Sequence, residues 1–115
     1  MPDILDISLA IEQAGGNAEL ARDLFSMLLD ELPHHRDKLR QAFEAGDQQA
    51  LWDHAHKVYG ATAYCGVPAL REAAGELETA IKSRSSDLGD RLTTVIRAME
   101  ALLENGAAHL EQHWA

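Results

Sequence analysis

Successive stretches of this sequence repeat apolar residues at three- and four-residue spacing, and no stretch of any length alternates with a period of two. A helix brings residues three and four apart onto one face, whereas a strand alternates faces, so the pattern admits helices and argues against a sheet. Leu20, Leu24, Met27 and Leu28 form one stripe, with Glu31 its polar exception. Leu39, Ala42 and Phe43 form another, and Leu51, Ala55, Val58, Thr62 and Cys65 a third. Leu70, Ala73, Ala74, Leu77 and Ile81 follow, then Leu88, Leu92, Val95, Ile96, Met99, Leu102 and Leu103.

Glycine and proline fall between these stripes and punctuate them. An Ile/Leu-rich segment from about Ile4 to Ala14 stops at Gly15-Gly16. Asn17 is placed to cap the next helix, with Glu19 in its first turn, where the helix dipole favours an acid. Pro33 is expected to end or kink that helix, because it lacks an N–H and crowds the preceding turn. A new stretch then runs from Pro33 to Ala45. Gly46 closes it, Asp47 caps a helix from Gln48 to Tyr64, and Pro68 starts the next after Gly66-Val67. The final stripe ends near Gly106. Short links force antiparallel neighbours. The expected fold is all-α: an antiparallel up-down four-helix bundle with one or two additional N-terminal helices, residues 1–115 forming a single domain.

The 115 residues suffice for one real core, and an apolar content of 46% excludes a disordered tail. Ten Lys and Arg against nineteen Asp and Glu leave a net charge of −9. That sign repels phosphate backbones and anionic lipid, so neither nucleic acid nor membrane is an expected partner. No apolar run reaches the ~20 residues that span a bilayer, and no N-terminal signal pattern is present. Cys65 is the one cysteine, which suits a reducing cytoplasm. The abrupt start suits both an excised domain and a small free-standing protein.

On the helix beginning at Gln48, the stripe Leu51, Ala55, Val58, Thr62 and Cys65 faces the core. His56 points about 140° away from it, on the side shared by Trp52, Tyr59, Gly60 and Ala63. A helical glycine costs roughly 1 kcal/mol relative to alanine. Here Gly60 clears the surface beside an outward imidazole, between the rings of Trp52 and Tyr59. A side chain that exchanges a group with another protein needs such access and such apolar docking surface. Periodicity alone also fits an ordinary solvated histidine.

Other candidates carry less. His54 and His56 are two apart and point to different sides. His109 and His113 are four apart and could chelate a metal on a helical face, but no third ligand is in register, so no metal site is expected. His34-His35 reads as a solvated face. Cys65 falls on the apolar stripe as a small hydrophobe without a placed base. No phosphate-cradling Gly-x-x-x-x-Gly-Lys run is present, so the chain is expected to depend on a partner rather than on ATP.

The string His56-Lys57-Val58-Tyr59-Gly60-Ala61-Thr62-Ala63-Tyr64-Cys65-Gly66 resembles the signature of histidine-containing phosphotransfer domains. In that signature the phosphorylated histidine is followed four residues on by glycine, then by small residues and a second glycine. The likeness extends over most of the chain. It includes Ala10 to Leu24, the Glu31-Leu32-Pro33 break, the Ala45-Gly46-Asp47 turn and Leu70 to Glu78. Within the family, the Tyr-Cys-Gly-Val-Pro run is similar to domains carried at the C-terminal end of hybrid sensor kinases.

The resemblance implies a four-helix bundle without kinase activity of its own, a monomer in the cytoplasm that carries a phosphoryl group on His56 Nε2. Its partners would be the receiver domains of a hybrid sensor kinase and of a response regulator. No cofactor is implied for this chain, Mg²⁺ belonging to the receiver. Glu78 stands where relatives place a Gln or Glu that hydrogen-bonds the histidine's Nδ1. On its own wheel it lies about 80° off the apolar stripe, at the core boundary. Trp52, Tyr59, Gly60 and Ala63 would form the docking surface.

One position departs from the family. Many members carry lysine three residues after the histidine, and here that position is Tyr59. Lys57 is then the candidate for charge support, although it lies about 100° round the helix from His56. This departure keeps a second function in view, a helical interaction module that docks receiver or kinase domains without phosphotransfer.

Overall fold

The computed structural model describes residues 2–114. Its elements are α1 (Ile7–Gln13), α2 (Ala18–Glu44), α3 (Gln48–Ala61), α4 (Pro68–Lys82), α5 (Leu88–Glu104) and α6 (Gly106–Glu111), with one 3-10 turn over Thr62–Tyr64 after α3. No strand occurs among the described residues.

Local chemistry sets the helix starts. The side chains of Asp6, Asn17 and Asp47 accept hydrogen bonds from the N–H groups of Leu9, Leu20 and Ala50 at 2.9–3.0 Å. Each satisfies one of the donors a helix leaves unpaired at its first turn. Pro68 opens α4, where its missing N–H costs nothing.

The long helix α2 corrects the expected break at Pro33: its 27 residues run through the proline without interruption. An internal proline costs about 3 kcal/mol. Against it, Phe25, Leu28, Leu32 and Leu39 are at most 2% exposed. Each fully buried side chain of this size contributes roughly 1.5–3 kcal/mol. Burial on both sides of the proline therefore outweighs the lost hydrogen bond.

Helices α2 to α5 form the bundle, with α3 packed between α2 and α4 and α5 closing the ring between α4 and α2. The two remaining helices lie at opposite chain ends. Because α2 is undivided, α1 is the one additional N-terminal helix, and the second addition, α6, is C-terminal. The core runs through all four bundle helices and includes Phe25, Leu32, Leu39, Leu51, Val58, Leu70, Leu77, Val95, Met99 and Leu102.

Helix α1 is fixed by one close crossing. Gly66, between α3 and α4, has φ +62°, and a Cβ there would lie 2.5 Å from both Ala10 Cβ and the Asp6 carbonyl oxygen. Its carbonyl accepts from the Asp6 N–H at 2.8 Å, and its own N–H donates to Gln13 Oε1 at 2.9 Å. At the other end α6 rests on α2. Arg22 Nε donates to the Leu110 carbonyl, and Trp114 packs on Phe25 at 5.6 Å between ring centroids.

Candidate functional site: an outward histidine on the seam between α3 and α4

Helices α3 and α4 run antiparallel, and their facing edges meet in a ladder of pairs. Trp52 lies beside Lys82, His56 beside Glu78, Tyr59 beside Gly75 and Thr62 beside Arg71. Successive rungs are one helical turn apart, the spacing at which residues share a face.

The His56–Glu78 rung has the geometry of an oriented imidazole. Glu78 Oε1 is 2.6 Å from His56 Nδ1, while the His56 side chain is 60% exposed and that of Glu78 only 14%. An ionised carboxylate only accepts, so the proton between them belongs to Nδ1. In the neutral ring this leaves the lone pair on Nε2, at the edge away from Glu78. Trp52 fixes the plane of the ring. The two rings stack at 4.9 Å between centroids with 8° between planes. One nitrogen is thus held, one face covered, and the other nitrogen free to react.

Gly60 lies one turn beyond His56 on the exposed surface, and an added Cβ there would meet no atom within 4 Å. Nothing inside the chain requires a glycine at that position. Its lack of a side chain leaves the surface beside the imidazole open. Ala63, in the 3-10 turn, is half-buried on the same side.

Tyr59 does not leave its ring standing free beside His56 as expected. The ring leans across the seam towards α4, where Gly75 makes room for it. A Cβ at Gly75 would be 3.1 Å from Tyr59 Cε1. The Arg71 guanidinium caps the ring at 4.3 Å from its centroid, within cation–π range. Arg71 also donates to Thr62 Oγ1 at 3.2 Å and to the Tyr59 carbonyl at 3.4 Å. Beyond Tyr59 lies a broad groove of about 750 Å³, lined in part by Arg71, Glu72, Glu76 and Arg91. Arg91 there is already paired with Glu76 and Asp87.

Lys57, exposed on α3, starts about 100° round the helix from His56. His54 is held below the ordinary histidine range first by burial and then by the Lys57 ammonium. His35 on α2 is lowered chiefly by burial, with Lys57 a smaller contributor. Among the described residues no ion pair involves Lys57. The residues of the site that the sequence did not single out are Arg71, Gly75 and Lys82. Their signal was the register itself: once His56 faces Glu78, positions one turn either side of Glu78 must face Tyr59 and Trp52.

The remaining candidates separate. His113 lies beyond the end of α6, so it does not share a helical face with His109, and no group of three metal-ligating side chains occurs among the described residues. Cys65 is buried and its thiol is pushed up to about 11, first by burial and then by Glu31, which keeps it protonated and unreactive near neutrality. Among the described residues no helix is long and apolar enough to cross a membrane.

Known proteins resemble this chain in sequence and fold. The Hpt domain family matches residues 23–112. The sensor histidine kinase GacS of Pseudomonas protegens is 41% identical over 83 residues, covering 72% of this chain and 9% of that protein. The signal transduction histidine-protein kinase BarA of Escherichia coli K12 is 35% identical over 98 residues, 84% of this chain and 11% of that protein. The chain thus spans about a tenth of the length of these curated relatives. The crystal structure of the HPT domain from an Hpt sensor hybrid histidine kinase of Shewanella superposes with a TM-score of 0.87 at 30% identity, covering 97% of both chains. The chain therefore belongs to the Hpt family, the histidine-containing phosphotransfer domains of two-component signalling.

Proposed function

We propose that this chain is a phosphorelay intermediate whose carrier is His56. It accepts a phosphoryl group from the aspartyl phosphate of one receiver domain, as found in hybrid sensor kinases, and passes it to an aspartate of a response regulator. The observation that carries this reading is the 2.6 Å contact of Glu78 with Nδ1 behind a ring whose outer edge is open to a partner.

The chemistry follows from that geometry. The Nε2 lone pair attacks phosphorus, the bond from phosphorus to the aspartate oxygen breaks, and the aspartate leaves as carboxylate with the electron pair. The Nδ1 proton stays on the ring against Glu78. In the reverse direction the same proton makes the imidazole a better leaving group towards the next aspartate. The docking surface is the flank around His56, with Trp52 and Ala63 beside it and Gly60 admitting the partner's backbone. The Mg²⁺ needed for charge on the aspartate belongs to the receiver, and this chain brings neither cofactor nor kinase activity. We place it, as a monomer, in the cytoplasm, where it would serve as the cytoplasmic end of a sensor kinase or as a separate carrier.

Tyr59, in the place where many members carry lysine, favours one second reading: a docking module that binds receivers without accepting phosphate. Incubating the chain with a phosphorylated receiver domain of a GacS-type kinase separates the two. Acid-labile, base-stable label should appear on the wild type and be absent from His56→Gln. Stable binding without label would favour the docking module, and label from ATP alone would refute the absence of kinase activity.

A further inference from the structure

The ladder between α3 and α4 carries two cations, Arg71 and Lys82, and among the described residues neither is in an ion pair; Arg71 is held by the Tyr59 ring and Thr62, which leaves Lys82. Lys82 follows Glu78 by one turn, and its ammonium lies 5.7 Å from the centre of the Trp52 ring. That ring is the one stacked on His56. Glu78, the acid one turn before Lys82, is occupied by His56 Nδ1. None of the ion pairs among the described residues involves Lys82. A cation over an indole face is held weakly when exposed, and a lysine stem is flexible and long enough to cover a helical turn.

We propose that Lys82 is the residue that neutralises the phosphoryl group on His56. Trp52 holds it ready in the unphosphorylated state. The assignment rests on the phosphotransfer reading and deepens it. The family position three residues after the histidine is filled by Tyr59, whose ring is committed to Gly75 and Arg71. Arg71 is engaged with that ring and with Thr62, two rungs from His56. Lys57 starts about 100° round the helix from His56 and reaches it only by curling back. Lys82 alone combines a position next to the stacked ring with a free charge. When Nε2 gains its phosphoryl group, an exposed dianion appears at the outer edge of the ring. A mobile ammonium one turn away then exchanges a weak contact with an indole for a charge-assisted one with phosphate oxygens.

The test loads the chain chemically with phosphoramidate. In that reaction Nε2 forms a bond to phosphorus as the phosphorus–nitrogen bond of the donor breaks and ammonia leaves. The ³¹P resonance of the phosphohistidine is then titrated for wild type, Lys82→Met, Lys82→Arg and Lys57→Met. Methionine preserves the stem and removes the charge, so a packing role is left intact. Lys82→Met should slow loading about fivefold, the scale of one exposed ion pair. It should also raise the phosphoryl pKa by about half a unit, because a nearby cation favours the more charged form. Lys82→Arg should restore both. Lys82→Met matching the wild type in rate and titration would overturn the assignment, as would a shift seen with Lys57→Met instead. Wild type that acquires no phosphohistidine at His56 would fail the phosphotransfer reading itself, and the assignment with it.

Discussion

Replacing Gly60 by alanine separates what the fold wants from what the function wants. Gly60 lies in the last turn of α3, and a methyl group added there would meet nothing within 4 Å. The substitution therefore introduces no clash and fills no cavity. What remains is the backbone effect, in which alanine is favoured over glycine in a helix by roughly 0.5–1 kcal/mol. For a chain of this size that raises the melting temperature by about 2–4 °C. The glycine is thus costly to the domain by itself, and under the proposed function the gain lies with the partner. Gly60→Ala should melt higher yet transfer more slowly from a phosphorylated receiver. Gly60→Trp should block transfer while leaving helix content nearly intact. The assays are thermal denaturation followed by circular dichroism and single-turnover transfer on the same preparations. A Gly60→Ala protein that melts lower would show a structural need for glycine there. Normal transfer by Gly60→Trp would show that the partner does not approach over this turn.

Three further outcomes follow from the same geometry. Glu78→Ala should slow single-turnover transfer about tenfold, or ~1.4 kcal/mol in the barrier, with Glu78→Gln between it and the wild type; equal rates in all three would show that Glu78 does not orient the ring. Gly66→Ala combines a φ of +62° with a 2.5 Å approach to Ala10 and Asp6. It should cost about 2–4 kcal/mol in urea denaturation, one strained residue plus one overpacked contact, and an unchanged midpoint would refute the tight crossing. His35 is lowered from 6.5 mainly because burial outweighs its pairing with Glu31. A group depressed on folding adds stability above its unfolded pKa and loses it as the pH falls below. Stability should thus decline below pH 6.5, and less steeply in His35→Gln; parallel curves for the two would exclude His35 as the cause.

What the sequence disclosed is what short-range chemistry decides. Asn17 and Asp47 could be placed as caps because a cap needs only its own first turn. His56 could be placed outward and Glu78 at a core boundary because each wheel is a local object. Pro33 misled because its cost is local while its compensation, the burial of Leu28, Leu32 and Leu39, is tertiary. Helix α6 is not set apart by any apolar stripe of its own, for the same reason. Six residues make no stable helix alone, and this one rests on Arg22 and on the Trp114–Phe25 contact from elsewhere in the chain. A wheel gives the direction of Tyr59 Cβ but not the lean of its ring, which depends on a missing side chain at Gly75 on another helix. Lys82 needed both the register of the two helices and the stacking of Trp52 on His56 before its position meant anything.

The central claim is that His56 carries phosphate on Nε2 while Glu78 keeps the proton on Nδ1. Long-range ¹H–¹⁵N correlation of the imidazole, on protein loaded from a phosphorylated receiver or from phosphoramidate, reads both nitrogens at once. In the wild type phosphorus should couple to Nε2 of His56 with Nδ1 protonated, and the Nδ1 proton should exchange faster in Glu78→Ala. Phosphorus on Nδ1, on another histidine, or on none would contradict it.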